Sequence, residues 1–171
     1  MRRPTLRLAL FLSALSLVTA CHGASKQSSG ALQPGSPALQ QLYQEGRADY
    51  QSGKYNEAAA KFARVVEADP TNLNALMNWG VTLSRSGKPA EAIPKYQQVL
   101  ARDPNNAEAY YNWGVALERL HKHQEALEKY EQAIALKHDL LTPALQGYLE
   151  RHRPTAADKA IGTNPSQPPS Q

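Results

Sequence analysis

Few residues of this 171-residue sequence have the types and spacing that catalysis requires. Three motifs that position a catalytic nucleophile, a nucleotide phosphate or a dinucleotide are absent, namely G-x-S-x-G, G-x-x-x-x-G-K-[ST] and G-x-G-x-x-G. No other set of acids, bases and nucleophiles forms a recognisable catalytic group. We therefore expect a protein that is not an enzyme and that needs no cofactor.

The best candidates for metal ligands are His121, His123 and Glu125. Two histidines separated by one residue do not share one face of a helical turn, and the glutamate does not complete an H-E-x-x-H pattern. We expect these histidines near the turn between two helices and predict no metal site. The single cysteine also excludes a disulfide framework and a zinc site built on cysteines.

The residues before this cysteine have the layout of a secretory signal peptide. Arg2, Arg3 and Arg7 precede an apolar run over residues 8–20. This run would rise only about 20 Å as a helix, which is shorter than a bilayer core of about 30 Å. Without these arginines, 16 basic residues face 15 acidic ones, so the formal net charge of +4 does not predict nucleic-acid binding. The alternative is a single membrane-spanning anchor.

The end of this segment, residues 18–21 with the sequence VTAC, resembles the lipobox of bacterial lipoproteins. The resemblance implies that the signal peptide (residues 1–20) is removed and that Cys21 carries a diacylglyceryl group and a further acyl chain. Two or more acyl chains hold a protein stably at a membrane. His22 stands where enterobacterial inner-membrane lipoproteins have aspartate, which implies the outer membrane, facing the periplasm. The alternative is that Cys21 stays a free thiol.

Two segments read as irregular chain because they are rich in small and polar residues and show no apolar period. Residues 21–37 predict a flexible linker that follows the lipidated cysteine. Residues 153–171, which end in NPSQPPSQ, predict a disordered tail. For the linker, the alternative is a loop packed on the folded domain.

Between these segments the sequence repeats with a period of 34 residues, most visibly where Trp79-Gly80 returns as Trp113-Gly114. The other positions that recur are Gly46, Gly80 and Gly114; Ala58, Ala92 and Ala126; Phe62, Tyr96 and Tyr130; and Asp69-Pro70 with Asp103-Pro104. Each unit contains two stretches with helical apolar spacing. The small residues predict a close approach of the paired helices, and the aromatic residues fill the space beside them.

Local signals divide each unit into two helices. Gly53, Gly87 or a polar residue near position 121 ends the first helix, and the Asp-Pro pairs end the second. Pro94 lies about one turn inside the second helix of unit two, where it removes a hydrogen bond to residue 90. We expect a local bend or a late start of that helix. The sequence thus predicts an all-α protein made of consecutive helix pairs.

This pattern resembles the tetratricopeptide repeat, in which a bulky residue and glycine in the first helix are followed by alanine, an aromatic residue and a terminal proline in the second. The resemblance implies an α-solenoid of three helix pairs over residues 39–72, 73–106 and 107–140. A capping helix over residues 142–152 would complete a domain of residues 38–152. The departures are Glu45 in place of tryptophan, His121 in place of the turn glycine, and Lys137-His138 in place of Asp-Pro.

The resemblance also implies a concave groove, lined by the first helix of each unit, that takes an extended peptide or a partner helix. The family's groove positions include Tyr43, Arg47, Asn74, Met77, Asn78, Arg85, Tyr111, Asn112 and Arg119, which are the candidate site residues, and also Gln40, Tyr50, Val81, Glu108 and Val115. Asn78 and Asn112 could bond a ligand backbone as donor and acceptor, and the arginines could take carboxylates. The family's clamp for a terminal carboxylate is not predicted, since Glu108 and Tyr43 occupy two of its positions. The alternative for each residue is ordinary solvated surface.

Together these features favour a lipid-anchored scaffold or assembly adaptor of the bacterial cell envelope. Its partners would be envelope proteins, and the lipid on Cys21 would attach it to the membrane. The alternative function is a binding module for a cell-wall fragment or another small ligand, held by the tyrosines and asparagines of the groove.

Overall fold

The computed structural model describes residues 32–154, in which every regular element is helical. The all-α prediction is therefore confirmed, with helix pairs in the predicted order. The helices are α1 (Pro37–Gln51), α2 (Tyr55–Ala68), α3 (Leu73–Arg85), α4 (Pro89–Arg102), α5 (Ala107–Arg119), α6 (His123–Leu136), a short 3-10 helix (His138–Leu140) and α7 (Pro143–His152). None of the helices in this region combines the length and the apolar character needed to cross a membrane.

The predicted signal peptide, the lipidated Cys21 and most of the predicted linker and tail lie outside the described residues. The end of the predicted linker differs from expectation. Leu32 packs against the apolar cluster of unit one, and the Ser36 hydroxyl caps α1 by accepting from the Leu39 amide at 3.2 Å. Pro37 is the first helical residue. The fold therefore starts before residue 38, because a Ser-Pro pair typical of linkers is also a helix N-cap and first turn.

Helices α1, α3 and α5 (the A helices) each pack against the helix that follows them, α2, α4 and α6 (the B helices). The backbones of neighbouring A helices also approach one another, α1 with α3 and α3 with α5, whereas the backbones of neighbouring B helices in the described region lie farther apart. The A helices therefore lie on the inner side of the curved stack, and their outward-facing side chains line its concave surface.

Each A helix meets its B helix through a glycine that faces an aromatic ring. A Cβ atom on Gly80 would lie 2.6 Å from Cε1 of Tyr96, and one on Gly114 would lie 2.7 Å from Cε1 of Tyr130. Both rings are almost fully buried, with 1% and 2% of their surface exposed. The predicted close approach of the paired helices is confirmed, and it brings the Tyr96 ring to the edge of the concave surface.

A lysine at the same position of each B helix contacts the residue at which unit one departs from the repeat pattern. Lys95 lies 3.7 Å from the centre of the Trp79 ring, and Lys129 lies 4.6 Å from that of Trp113. In unit one, Glu45 replaces the tryptophan, and Lys61 pairs with Glu45 and Asp49 instead. The tryptophans are half-buried against the core, so they contribute to packing as well as to these lysine contacts.

The A helices of units two and three begin at asparagine caps that the sequence reading did not identify. The side chains of Asn72 and Asn106 accept hydrogen bonds from the Ala75 and Ala109 amides, both at 2.9 Å. In unit two, α4 begins at Pro89 and continues through Pro94, so the late start considered from the sequence does not occur.

The turn between the two helices of each unit uses the left-handed region of backbone conformation. The φ angles are 76° at Gly53, 84° at Gly87 and 60° at His121. Only glycine adopts this region without steric cost, so the histidine carries a strain that its equivalents lack. The turn geometry is thus kept in unit three although the residue type is not.

Replacing His121 with glycine is expected to raise the free energy of unfolding by about 0.5–1 kcal/mol, because glycine relieves the left-handed strain at an exposed site. The reciprocal change, Gly87→Ala, is expected to lower it by about 1 kcal/mol. A Cβ at Gly87 would meet nothing within 4 Å, so only the backbone is tested. Urea denaturation measures both changes, and equal stability of His121→Gly and wild type would contradict the assignment of strain.

Helix α7 covers the exposed end of unit three. Its Leu145, Tyr148 and Leu149 are buried in a cluster with Leu127 and Tyr130 of α6. The start of the helix is capped by the Thr142 hydroxyl, which accepts from the Leu145 amide at 3.2 Å. Its end is held by Gln124, whose amide nitrogen donates to the His152 carbonyl at 2.8 Å.

Two histidines stack where α7 meets α6. The rings of His123 and His152 are 4.4 Å apart and nearly parallel, and His123 Nδ1 lies 3.2 Å from the Tyr148 hydroxyl. Burial lowers the pKa of His152 below its ordinary value of 6.5, as do the charges of His123 and Arg151. The carboxylate of Glu118 acts in the opposite direction. The folded state therefore binds fewer protons at this site than the unfolded chain.

The unfolding temperature is accordingly expected to fall as the pH drops below about 6.5. In this pH range His152 is protonated more readily in the unfolded chain than in the folded protein. A His152→Phe variant keeps an aromatic ring but cannot titrate. Its unfolding temperature is expected to fall less than that of wild type between about pH 7.5 and pH 5. The exposed His138 provides the control: a His138→Gln variant should lose as much stability as wild type. An equal loss in all three proteins would refute the prediction.

Candidate functional site

The nine groove residues predicted from the sequence all lie on the A helices. Tyr43 and Arg47 belong to α1, and the others divide between α3 and α5. All nine are exposed or half-buried, in contrast to the aromatic residues that face the helix-pair glycines. They are therefore placed at the solvent-facing concave surface. We call the concave surface of α1, α3 and α5 the groove.

Two contacts join predicted residues of neighbouring units. The Asn78 amide nitrogen donates to the Tyr43 hydroxyl at 2.7 Å, which connects α3 to α1. The Asn112 amide nitrogen lies 3.9 Å from Met77 Sδ, which connects α5 to α3, and also donates to the Glu108 carbonyl at 2.9 Å. Each A helix is thus joined to the next by one contact between predicted groove residues.

A hollow of about 260 Å³ lies between α3 and α5 and holds four of the predicted residues. Arg119 crosses it, because its Nη1 donates to the Ser84 carbonyl of the neighbouring unit at 3.2 Å. We call this the α3/α5 hollow. Its lining residues are Val81, Ser84, Arg85, Tyr96, Tyr111, Asn112, Val115 and Arg119.

A second hollow, of about 300 Å³, lies where α1 meets the start of α3, and Tyr43 and Asn74 line it. Arg47 belongs to neither hollow. Its side chain is exposed, and its Nη1 lies 3.4 Å from Gln44 Oε1 on the same helix. The structure therefore brings together eight of the nine predicted residues through hollows or direct contacts and leaves Arg47 apart.

The architecture agrees with comparison to known proteins. The family model described as "Tetratricopeptide repeat" matches residues 43–83 and 77–139, which is more than half of the chain. The chain belongs to the tetratricopeptide repeat family. No curated protein matches its sequence.

Solved structures of other proteins share the fold. The Sgt2 domain from Aspergillus fumigatus is 23% identical, with a TM-score of 0.62, over 82% of this chain and 91% of that chain. The first repeat domain of Spaghetti (RPAP3) bound to the HSP90 peptide SRMEEVD is 24% identical, with a TM-score of 0.61, over 73% of this chain and 94% of that chain. MamA (41-end) from Desulfovibrio magneticus RS-1 is 24% identical, with a TM-score of 0.61, over 72% and 68%. At these identities the likeness shows the fold.

Two lining residues of the α3/α5 hollow were missed by the sequence reading. Tyr96 was assigned to the core from its place in the tetratricopeptide period, and it is 1% exposed, yet it also lines the hollow. Burial raises its pKa well above the usual range, so its hydroxyl stays protonated. Ser84 is 4% exposed, and its Oγ has no hydrogen-bond partner in the described region. Ser84 has no counterpart in unit three, where Glu118 stands, so the period gave no signal for it.

Charge is unevenly distributed along the groove. Arg47, Arg85 and Arg119 form no salt bridge with any carboxylate that the structure describes. Glu108, at the beginning of α5, lies 3.9 Å from Lys137, and both side chains are exposed. The C-terminal ends of α3 and α5 are therefore the basic part of the groove. Over residues 32–154, no three histidine, cysteine or acidic side chains come close enough together to hold a metal ion.

Proposed function

We propose that this protein is a lipid-anchored adaptor of the bacterial cell envelope that binds a segment of a partner protein in its groove. The tetratricopeptide fold supports a protein–protein interaction module, and the groove supplies a place for the partner. The observation that carries the proposal is a row of four side chains, Tyr43, Asn78, Met77 and Asn112, whose two contacts join α1 to α3 and α3 to α5. Such a row suits an elongated ligand better than a compact one.

The row contains the chemistry that an extended backbone needs. Asn78 uses one amide hydrogen within the protein, whereas the Asn112 amide nitrogen faces both the Glu108 carbonyl and Met77 Sδ. The side-chain carbonyl oxygens of both asparagines accept no hydrogen bond from the described residues. An asparagine side chain can donate two hydrogen bonds and accept two, so Asn78 can still bond a peptide group in either sense, and Asn112 can accept from a peptide N–H. Tyr43, Met77 and Tyr111 add the aromatic and thioether surface that is enriched at interfaces.

A structural neighbour of the chain provides the second support. The first repeat domain of Spaghetti (RPAP3) is bound to the peptide SRMEEVD of HSP90. A short peptide is therefore a ligand class that this fold accommodates, and we extend the class, not the identity of the peptide, to this protein. The partner proposed here is a protein of the envelope.

The groove part of the proposal is tested by affinity capture with the full chain. Wild type on a column is expected to retain a defined set of proteins from a detergent extract of bacterial envelopes. An Asn78→Ala, Asn112→Ala variant should lose that set, whereas a Glu128→Ala variant should keep it, since Glu128 is exposed on α6 and lines neither hollow. Retention of the same proteins by all three columns, or of none by wild type, would reject the groove as the binding surface.

The anchor part of the proposal rests on Cys21 and the apolar segment before it. In a bacterial host supplied with an alkyne fatty acid, the wild-type chain is expected to incorporate the label and to fractionate with membranes. A Cys21→Ser variant should do neither, because serine lacks the thiol that receives the diacylglyceryl group. A wild-type chain without label, or equal labelling of both proteins, would refute lipidation at this residue.

A further inference from the structure

The α3/α5 hollow contains two arginines whose hydrogen-bond donors are mostly unused. Arg85 and Arg119 occupy the same place in consecutive units, in the last turns of α3 and α5. A guanidinium has five N–H donors, and Arg119 uses one of them on the Ser84 carbonyl. Arg85 makes no side-chain hydrogen bond within the described region, and neither arginine has an acidic partner there.

The other walls of the hollow favour an anion. No aspartate or glutamate is among its lining residues. Tyr96 adds a hydroxyl that burial keeps protonated, and Asn112 adds an amide. Val81 and Val115 make part of the wall apolar, which lowers the local dielectric and strengthens the attraction between a bound anion and the guanidinium groups.

Arginines in the last turn of a helix also interact with the helix dipole, and this provides the matched comparison. Arg102 has the same position in α4, where it would make the same interaction with the helix end. It does not line the hollow. A function that belongs to the hollow must therefore depend on Arg85 and Arg119 and not on Arg102.

We propose that the α3/α5 hollow binds the side-chain carboxylate of an acidic residue in the partner segment. The inference rests on the proposed function, because the segment that carries this residue lies along the groove. A carboxylate matches the planar geometry of a guanidinium and can accept from it through both oxygens. Asn112 lines the hollow and also belongs to the row, so a peptide that follows the row passes the hollow and can place one side chain beside the two arginines that line it.

The test uses the full chain and an array of random ten-residue peptides, acetylated at one end and amidated at the other. The peptides are made in pairs that differ only by glutamate or glutamine at one position. For bound pairs, wild type is expected to prefer the glutamate peptide by about tenfold. Arg85→Gln and Arg119→Gln should each reduce this ratio towards one, and Arg102→Gln should leave it unchanged.

Each other result has a distinct meaning. Peptide binding with no preference for glutamate, or a preference that survives both arginine substitutions, would overturn this inference and leave the proposed function standing. Binding of no peptide would overturn the proposed function itself. A parallel array with free carboxyl termini distinguishes the source of the carboxylate, since a preference seen only there would overturn the side-chain assignment. Circular dichroism confirms that each variant is folded, and the comparison of peptide pairs on wild type needs no variant.

Discussion

Replacing Leu76 with alanine is expected to lower the free energy of unfolding by about 2–5 kcal/mol. Leu76 is 0% exposed and lies in a cluster with Val99 of α4 and Ala109 of α5, against which Val66 of α2 also packs. The cluster that contains this side chain thus includes residues from all three units. Truncation removes apolar contacts and leaves a cavity at the place where the units join.

Urea denaturation followed by circular dichroism measures this loss, and the shape of the transition gives a second readout. In a stack of repeats, stability is a sum of unit and interface contributions, so a weakened interface is expected to broaden the transition. Leu136→Ala is the matched control, because Leu136 is 44% exposed and its truncation should change stability by less than about 0.5 kcal/mol. Similar losses for the two variants would contradict the packing described for Leu76.

A Gly80→Ala substitution is expected to destabilise the protein although alanine is the better helix former by about 1 kcal/mol. The new Cβ would lie 2.6 Å from the Tyr96 ring, which is 1% exposed and packed against α3. Overpacking of this kind costs about 1–3 kcal/mol. The same argument predicts a smaller cost for Gly46→Ala, where the closest ring atom of Phe62 is 3.1 Å away.

Two comparisons isolate the clash in thermal or urea denaturation. Gly147→Ala in α7 should stabilise the protein by about 0.5–1 kcal/mol, because the nearest atom to its Cβ is Arg151 Nη1 at 3.5 Å. In a Tyr96→Leu background, Gly80→Ala should cost less than in wild type, since the ring that it meets is gone. If Gly80→Ala behaves like Gly147→Ala, the close approach of α3 and α4 is wrong.

Much of the fold could be predicted from the sequence because the period of 34 residues samples each structural position three times. The recurrence of Gly80 and Tyr96 in the neighbouring units indicated that a small residue faces an aromatic one, and the structure places them in contact. The Asp-Pro pairs at 69–70 and 103–104 indicated where the B helices end, and α2 and α4 end one residue before them. These features are local or repeated, so a sequence reading has access to them.

The differences arise where one residue serves a role that the period does not show. His121 adopts a left-handed backbone conformation that is unfavourable for residues other than glycine, and the surrounding helix pair imposes it. Lys61 pairs with Glu45 where its equivalents lie over tryptophans, and only the spatial neighbours of the lysine explain the change. The predicted linker ends in a helix cap at Ser36, because the same residue types make linkers and caps.

The candidate site was accessible to the sequence only in part. Family positions indicated which residues line the groove, but which of them touch depends on how adjacent units are rotated about the stack. The bond between Asn78 and Tyr43, and the bond from Arg119 to the Ser84 carbonyl, each join residues 35 positions apart. Ser84 and Tyr96 could therefore be assigned to the α3/α5 hollow only from the three-dimensional arrangement of the helices.

The measurement that tests the central claim most directly is site-specific photo-cross-linking of the full chain in a bacterial host. A photoreactive residue at Asn78 or at Tyr111, both in the groove, is expected to trap one specific envelope protein, and the same probe at Glu128 on α6 is expected to trap none. Trapping of glycan from the groove would favour the cell-wall binding module instead. Trapping of the same protein from Glu128, or of nothing from either groove position, would contradict the account.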